Sequence, residues 1–329
     1  MTLTLQPIPP FRLDYTVWAL RRRERNLIDR WDGVTYRRVI VVEGRATELA
    51  IRRSDSKRDA RLLLVATPPP RTSSQKRHLR SVVDRLLGLQ IDLTEWYRIA
   101  EADVRLGDLA RRFNGMKPPR FETVFEALVN GFACQQLSLE VGLELLNRLA
   151  TISGAKFGEG AGVSYAFPTA EDLLRLPVAT YRAIGFSGQK TKAIRQLAAS
   201  TARGLALEGL TDLDEGTVRE RLLDLHGVGR WTAEYVLLRG LGRLDTFPGD
   251  DVGARKRLAK WLGRSAQLDY GAVAKAVERW QPYAGLLYFH LLLHGLSKTG
   301  IFEQKSEIPV ERSDDAVQAA GERFSDDRG

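Results

Sequence analysis

The sequence predicts an α+β fold, with a small N-terminal antiparallel β-sheet domain followed by a mainly α-helical body. Three observations predict it. Ahead of residue 68 the chain carries β-branched, apolar runs such as Arg38-Val39-Ile40-Val41-Val42 and Arg61-Leu62-Leu63-Leu64-Val65-Ala66, the composition of strands. Pro68-Pro69-Pro70 followed by Arg71-Thr72-Ser73-Ser74 then reads as a linker, because proline and small polar residues interrupt regular structure. Beyond it, apolar residues recur at helical spacing almost to the end.

Taken in order, Pro7-Ile8-Pro9-Pro10 opens the chain, Phe11 to Tyr15 is read as a strand, and Thr16 to Trp31 is partly helical in pattern. Arg38–Val42, Thr47–Ile51 and Arg61–Ala66 are the central strands, so residues 11–70 form the sheet domain. The helical body spans 75–300. Gln75 to Leu87 places Leu79, Val83, Leu86 and Leu87 on one face, and Leu93–Ala100 and Arg105–Phe113 follow before Pro118-Pro119 breaks the chain. Phe121–Cys134 and Ser138–Ala150 are strongly apolar-periodic, and Thr169 with Asp172 three residues on resembles a capping box. Further helices are expected at Gln189–Ala206, Thr217–Leu225, Trp231–Leu241, Val252–Leu262, Tyr270–Arg279 and Tyr283–Leu296. The segment 303–329 is polar and charged and is read as a disordered tail.

Composition narrows the function. The net charge is +9 and the pI about 9.7. The segment 303–329 holds eight acids and four bases, so the body carries 46 bases against 33 acids, a charge of about +13. A body that basic is drawn to phosphate backbones or anionic surfaces. The single cysteine, Cys134, excludes an intramolecular disulfide framework, a multi-cysteine zinc site and a four-cysteine iron–sulfur cluster. It lies in the apolar run Gly131-Phe132-Ala133-Cys134 and reads as a small core residue. Residues 1–10 lack the pattern of a signal peptide and no apolar run is long enough to span a membrane, so the expected address is the cytoplasm. His290 and His294 are four apart, but without a glutamate between them in the His-Glu-x-x-His pattern they read as core or rim residues.

The sharp local signal is Leu225-His226-Gly227-Val228-Gly229-Arg230-Trp231-Thr232-Ala233, between two helical segments. Two glycines one residue apart permit a tight turn and a close approach of backbone to a ligand. The second helix then presents unpaired amides and its positive dipole end, which favour an anion such as a phosphate. Val228 is expected to pack inward and tie the two helices together. Ten residues past Tyr235 comes Asp245-Thr246-Phe247-Pro248-Gly249-Asp250-Asp251-Val252-Gly253-Ala254-Arg255, and upstream lies Leu128-Val129-Asn130-Gly131-Phe132-Ala133-Cys134-Gln135-Gln136-Leu137-Ser138.

This combination resembles the helix-hairpin-helix DNA glycosylases, with the helix-hairpin-helix at 217–241, and within them the alkylbase (3-methyladenine) DNA glycosylase II family. The resemblance covers roughly residues 11–300. It implies a base-excision enzyme acting on double-stranded DNA with damaged bases, with Asp251 as the catalytic carboxylate that stabilises an oxocarbenium-like sugar and orients water. Chemistry alone does not separate Asp251 from its neighbour Asp250: one caps the helix beginning near Val252 and the other is free to act. The resemblance further implies Trp231 and Tyr235 as walls of the base pocket. It places Gly227, Val228, Gly229, Arg230 and Thr232 on the DNA phosphate, Gln136 as the wedge that fills the gap left by the flipped base, and Gln135 as its brace. His226 suits phosphate contact. A structural monovalent cation at the hairpin would be held by the main-chain carbonyls of Leu223, Leu225 and Val228; no other cofactor is required.

Bifunctional relatives carry a Schiff-base lysine two residues after the second hairpin glycine. Trp231 stands there, so a monofunctional enzyme without lyase activity is expected. Lys256 and Lys260 are read as backbone contacts or solvated residues. The family's C-terminal pocket aromatic is replaced by an aliphatic residue near Leu292, with Tyr283, Tyr288 and Phe289 close by in sequence as candidate substitutes. The chain is expected to act as a monomer, associated with the nucleoid if its source is bacterial. A glycosylase for oxidised or deaminated bases, or a non-catalytic helix-hairpin-helix DNA-binding protein, is the alternative.

Overall fold

The computed structural model describes residues 2–54 and 61–302; the segment 303–329, expected as a tail, lies outside the described residues. Five strands, β1 (Thr2–Leu5), β2 (Arg30–Trp31), β3 (Thr35–Val42), β4 (Arg45–Arg53) and β5 (Leu62–Thr67), form one antiparallel sheet in the order β1-β5-β4-β3-β2. Val42 pairs with Arg45, so Glu43-Gly44 alone makes the β3–β4 turn. Tyr36, Arg38, Ile40 and Val42 alternate along β3 and are all buried, as a two-residue period requires when one face meets the core.

Phe11–Tyr15, expected as a strand, is instead the entry to helix α1 (Leu13–Arg21). Asp14 lies in its first turn, where negative charge meets the positive dipole end, and Leu13, Val17 and Leu20 bury one face. The edge strand β1 lies upstream of every expected strand and pairs through its backbone with β5. The remaining helices are α2 (Ser73–Leu87), α3 (Thr94–Glu101), α4 (Val104–Arg112), α5 (Val124–Cys134), α6 (Leu139–Ser153), α7 (Ala170–Arg175), α8 (Val178–Ala183), α9 (Gly188–Ala202), α10 (Glu215–Leu223), α11 (Arg230–Val236), α12 (Val252–Trp261), α13 (Tyr270–Val277) and α14 (Ala284–Ser297). A short hairpin of β6 (Lys156–Phe157) and β7 (Ser164–Tyr165) joins α6 to α7. The α+β organisation is as the sequence predicts. Thr169 and Asp172 form the capping box of α7.

Two packed clusters organise the interior. One runs from the sheet through α2, α5, α6, α9 and α11. The other is built on α3, α4, α12, α13 and α14, with Trp18 and Ala19 of α1. Sheet and helices are joined by a buried ionic cluster. The fully buried Arg38 of β3 donates to Asp29 at 2.8 Å, Glu126 of α5 at 2.6 Å and Glu122 at 3.2 Å. Burial pushes the Glu126 carboxyl up to about 7 against the opposing pull of Arg38.

His290 of α14 is fully buried against Trp96, with ring centroids 5.1 Å apart, and its Nδ1 lies 2.8 Å from the Leu286 carbonyl. Burial lowers its pKa to about 4. A depressed histidine contributes stability that is complete above its unfolded value of about 6.5 and is lost as pH falls toward 4. Acidification across that window is therefore expected to cost roughly 3 kcal/mol at this site. Chemical denaturation at a series of pH values should show a shallower slope for His290→Leu than for wild type.

Candidate active site

The hairpin is built as its glycines require. Gly227 has φ +88°, and a Cβ there would stand 2.7 Å from the Ala193 Cβ and 3.4 Å from Phe132, so both conformation and space exclude a side chain. Val228 is buried as expected, and its amide donates to the Leu225 carbonyl at 3.0 Å. Gly229 caps α11 with nothing within 4 Å of the place a Cβ would take, so its backbone is open to a ligand. The first helical bond of α11 runs from the Ala233 amide to the Gly229 carbonyl at 2.9 Å, leaving the preceding amides without helical partners. Gly227→Ala is expected to lower stability by about 1–3 kcal/mol and to weaken duplex binding, read by thermal melting and fluorescence anisotropy.

Helix α5 crosses α11 closely because Gly131 faces Thr232: a Cβ on Gly131 would lie 2.9 Å from the Thr232 methyl. This corrects one expectation. The side chain of Thr232, in the first turn of α11, is buried against α5 rather than offered to DNA; only its main-chain amide remains for a phosphate. Gln135 braces the junction, donating from Nε2 to the Gly227 carbonyl at 2.9 Å and to Thr232 Oγ1 at 2.7 Å. Gln136 next to it is exposed, with φ +55°, a left-handed conformation that is uncommon outside glycine and concentrates at functional sites. Lys190 of α9, a residue that sequence reasoning passed over, pins this turn by donating to the carbonyls of Ala133 at 2.8 Å and Gln135 at 2.7 Å. His226 is exposed beside the hairpin.

The two adjacent aspartates have different partners. Asp251 is the N-cap of α12: Oδ1 accepts the Ala254 amide at 2.6 Å, and Oδ2 accepts the Tyr288 hydroxyl at 3.3 Å. Asp250 turns to the exposed Arg230, whose Nε donates to it at 2.6 Å while its guanidinium lies 3.9 Å from the Tyr270 ring centroid. The cap is thus Asp251, not Asp250, and Arg230 meets a carboxylate within the protein. The loop carrying both is fixed by the buried Glu234, which accepts the Gly249 amide at 3.0 Å and the Tyr270 hydroxyl at 2.6 Å. Burial raises the Glu234 pKa. Behind this loop, a cavity of about 820 Å³ is lined by Glu215, Arg219, Glu234 and Tyr270; Asp251 and Trp231 do not line it.

Trp231 and Tyr235 stack, with centroids 5.3 Å apart and planes 27° from parallel. Trp231 is half-buried and Tyr235 buried. The Tyr235 hydroxyl accepts Arg22 Nη1 at 2.7 Å, and Arg22 Nη2 donates to Asn130 Oδ1 at 2.7 Å. Tyr288 of α14 is buried, and burial followed by the charge of Asp251 pushes its phenol well up, so it donates to Asp251 as a neutral hydroxyl. Phe289 is buried beside Arg239 rather than in the wall, and Tyr283 packs on Trp96. Arg22 was not singled out from sequence, and Tyr288 only as a candidate pocket aromatic, because the contacts join the end of α1 to α5 and α11, and α14 to the start of α12, across the whole chain.

In this chain, residues 129–282, just under half of its length, match the family model described as HhH-GPD superfamily base excision DNA repair protein. Within that superfamily the chain is similar to alkylbase glycosylases. It is 29% identical over 208 residues to a DNA-3-methyladenine glycosylase of Bacillus subtilis, covering 62% of this chain and 69% of that protein. It is 33% identical over 209 residues to a probable bifunctional transcriptional activator/DNA repair enzyme of Mycobacterium tuberculosis, covering 63% of this chain but 40% of that protein. The fold superimposes on a 3-methyladenine DNA glycosylase from Archaeoglobus fulgidus with a TM-score of 0.78 at 25% identity, over 92% of this chain and 99% of the other. Among the described residues, no helix is long and apolar enough to cross a membrane.

Proposed function

We propose that this chain is a monofunctional DNA glycosylase that flips alkylated purines such as 3-methyladenine and 7-methylguanine from duplex DNA and hydrolyses the N-glycosidic bond. The observation that carries the reading is the Asp251 carboxylate, held at the start of α12 by the Ala254 amide and the Tyr288 hydroxyl, in a chain whose relatives are named as 3-methyladenine glycosylases.

Basic side chains bring the duplex to the protein. The open backbone at Gly229 and the first amides of α11 take a phosphate of one strand, while Gln136, braced through Gln135, enters the gap in the stack. The lesion stacks on Trp231, whose electron-rich face attracts a cationic base by roughly 0.5–2 kcal/mol. As the base departs, positive charge grows on the sugar and Asp251 stabilises it and orients the attacking water. A cationic alkylpurine is a good leaving group, so no general acid is needed. Trp231 stands where a lyase would place its lysine, which supports hydrolysis without strand cleavage. A monovalent cation on the carbonyls of Leu223, Leu225 and Val228 belongs to the same proposal: neutral oxygen donors suit a hard ion, and the Leu225 carbonyl, holding one hydrogen bond from Val228, keeps a second lone pair. Such an ion would stiffen the hairpin against the phosphate. The enzyme acts as a monomer in the cytoplasm, on the nucleoid where the cell has one.

The test is base release from methylated duplex DNA, with strand nicking scored separately. Release of 3-methyladenine or 7-methylguanine, with nicks appearing only after alkali, is the expected result. Duplex binding without release overturns the catalytic reading, and nicking without alkali overturns the monofunctional one.

A further inference from the structure

The far end of the aromatic wall is finished by a guanidinium. Arg22 is 4% exposed and Arg239 is fully buried. Buried guanidiniums are normally matched by carboxylates, as Arg38 is by Asp29 and Glu126. Arg22 is not: its hydrogen bonds go to a phenol, Tyr235, and an amide, Asn130, the Cys134 thiol also faces it, and no carboxylate among the described residues lies within ion-pair distance of it. Asp29 acts on it only through space and is already bonded to Tyr36 and Arg38. Arg22 Nε is buried with no partner, and each terminal nitrogen has a second N–H beyond the one placed on Tyr235 or Asn130.

The position is held deliberately. Arg22 has φ +63°, in the left-handed region that a side chain resists, and its amide caps α1 on the Trp18 carbonyl at 2.9 Å. Arg239 grips the last turn of α1 through the carbonyls of Ala19 and Leu20, at 3.1 Å each. Its Nε and Nη1 likewise have no partner. One chain of contacts thus runs from Arg22 to Tyr235 to Trp231. A buried, unneutralised donor fork beside the surface on which a base stacks calls for a ligand that brings acceptors.

Resting on the glycosylase reading above, we propose that Arg22 is a specificity-determining residue that donates to a carbonyl oxygen on the edge of the flipped purine. A guanidinium has donors only. A base edge with a keto oxygen satisfies it, whereas an amino group sets donor against donor and leaves a desolvated N–H unpaired. Among alkylpurines the site therefore ranks the 6-keto base 7-methylguanine above the 6-amino base 3-methyladenine, relative to a pocket without the arginine. Both lesions are cationic in DNA, so the comparison isolates the edge from the charge.

The experiment measures kcat/KM for release of both bases from one methylated duplex by wild type, Arg22→Met and Arg22→Lys, with thermal melting of each protein. The ratio of 7-methylguanine to 3-methyladenine release is expected to fall roughly ten- to a hundredfold in Arg22→Met, and by less in Arg22→Lys, which keeps a charged donor but loses the fork. An unchanged ratio in either variant, with both rates lowered together, overturns the proposal by reducing Arg22 to a structural role; if Arg22→Met fails to fold, Arg22→Lys alone decides. A wild type that releases neither base overturns the glycosylase reading and this one with it, whereas a wild type that releases both, in a ratio that Arg22 does not control, sinks this one alone.

Discussion

Asp251→Asn is expected to lower kcat by about 10²–10³-fold while leaving the melting temperature where it was. The separation is possible because Asp251 has two jobs. As N-cap of α12 it accepts the Ala254 amide through Oδ1, and asparagine caps helices as well as aspartate does. What asparagine lacks is the negative charge that meets the developing oxocarbenium ion. Asp251→Ala is expected to lose the cap too, costing about 1 kcal/mol more in stability. Single-turnover base release at saturating enzyme, set beside thermal melting, reads both effects. If Asp251→Asn keeps full activity and Asp250→Asn loses it, the catalytic role passes to the neighbour, whose carboxylate is bound to Arg230 in the free protein.

The largest expected loss of stability comes from Arg38→Met, at about 3–5 kcal/mol, or a drop in Tm on the order of 10 °C. Arg38 lies between Asp29, Glu122 and Glu126 without exposed surface. Removing it leaves acids in the interior without a counter-charge to offset their desolvation. Because the penalty belongs to the orphaned charge, Arg38→Met combined with Glu126→Gln should recover part of it, a sign that a simple cavity would not give. Equilibrium unfolding in denaturant measures both variants. A cost below 1 kcal/mol for the single variant would show that water reaches the cluster.

Much of the architecture was legible because it depends on local pattern. Helices α2, α5, α6 and α14 announce themselves by apolar periodicity, and the central strands β3 and β5 by β-branched runs. Phe11–Tyr15 misled because five residues with alternating apolar character fit a strand and a helix entry equally, and the choice was made by burying Leu13, Val17 and Leu20 on one face. Strand β1 pairs through its main chain with β5, some 60 residues on, so its own residues carry little sign of it.

The site divides along the same line. By itself the sequence determined the hairpin, since glycines at 227 and 229 permit the tight turn and leave the backbone at Gly229 without a covering side chain; it determined the Phe-Pro-x-x-Asp loop after α11 and the aromatic pair four residues apart, because helical spacing brings Trp231 and Tyr235 onto one face. Only the tertiary structure decided which aspartate caps α12, that Thr232 is buried under Gly131, that Tyr288 holds Asp251, and that Arg22 and Arg239 bring uncompensated charge to the end of the wall. The physical reason is that charge pairing, desolvation and the direction of a side chain depend on what the rest of the chain places within a few ångströms, and those partners here come from α1, α5, α12 and α14, at separations no local pattern encodes.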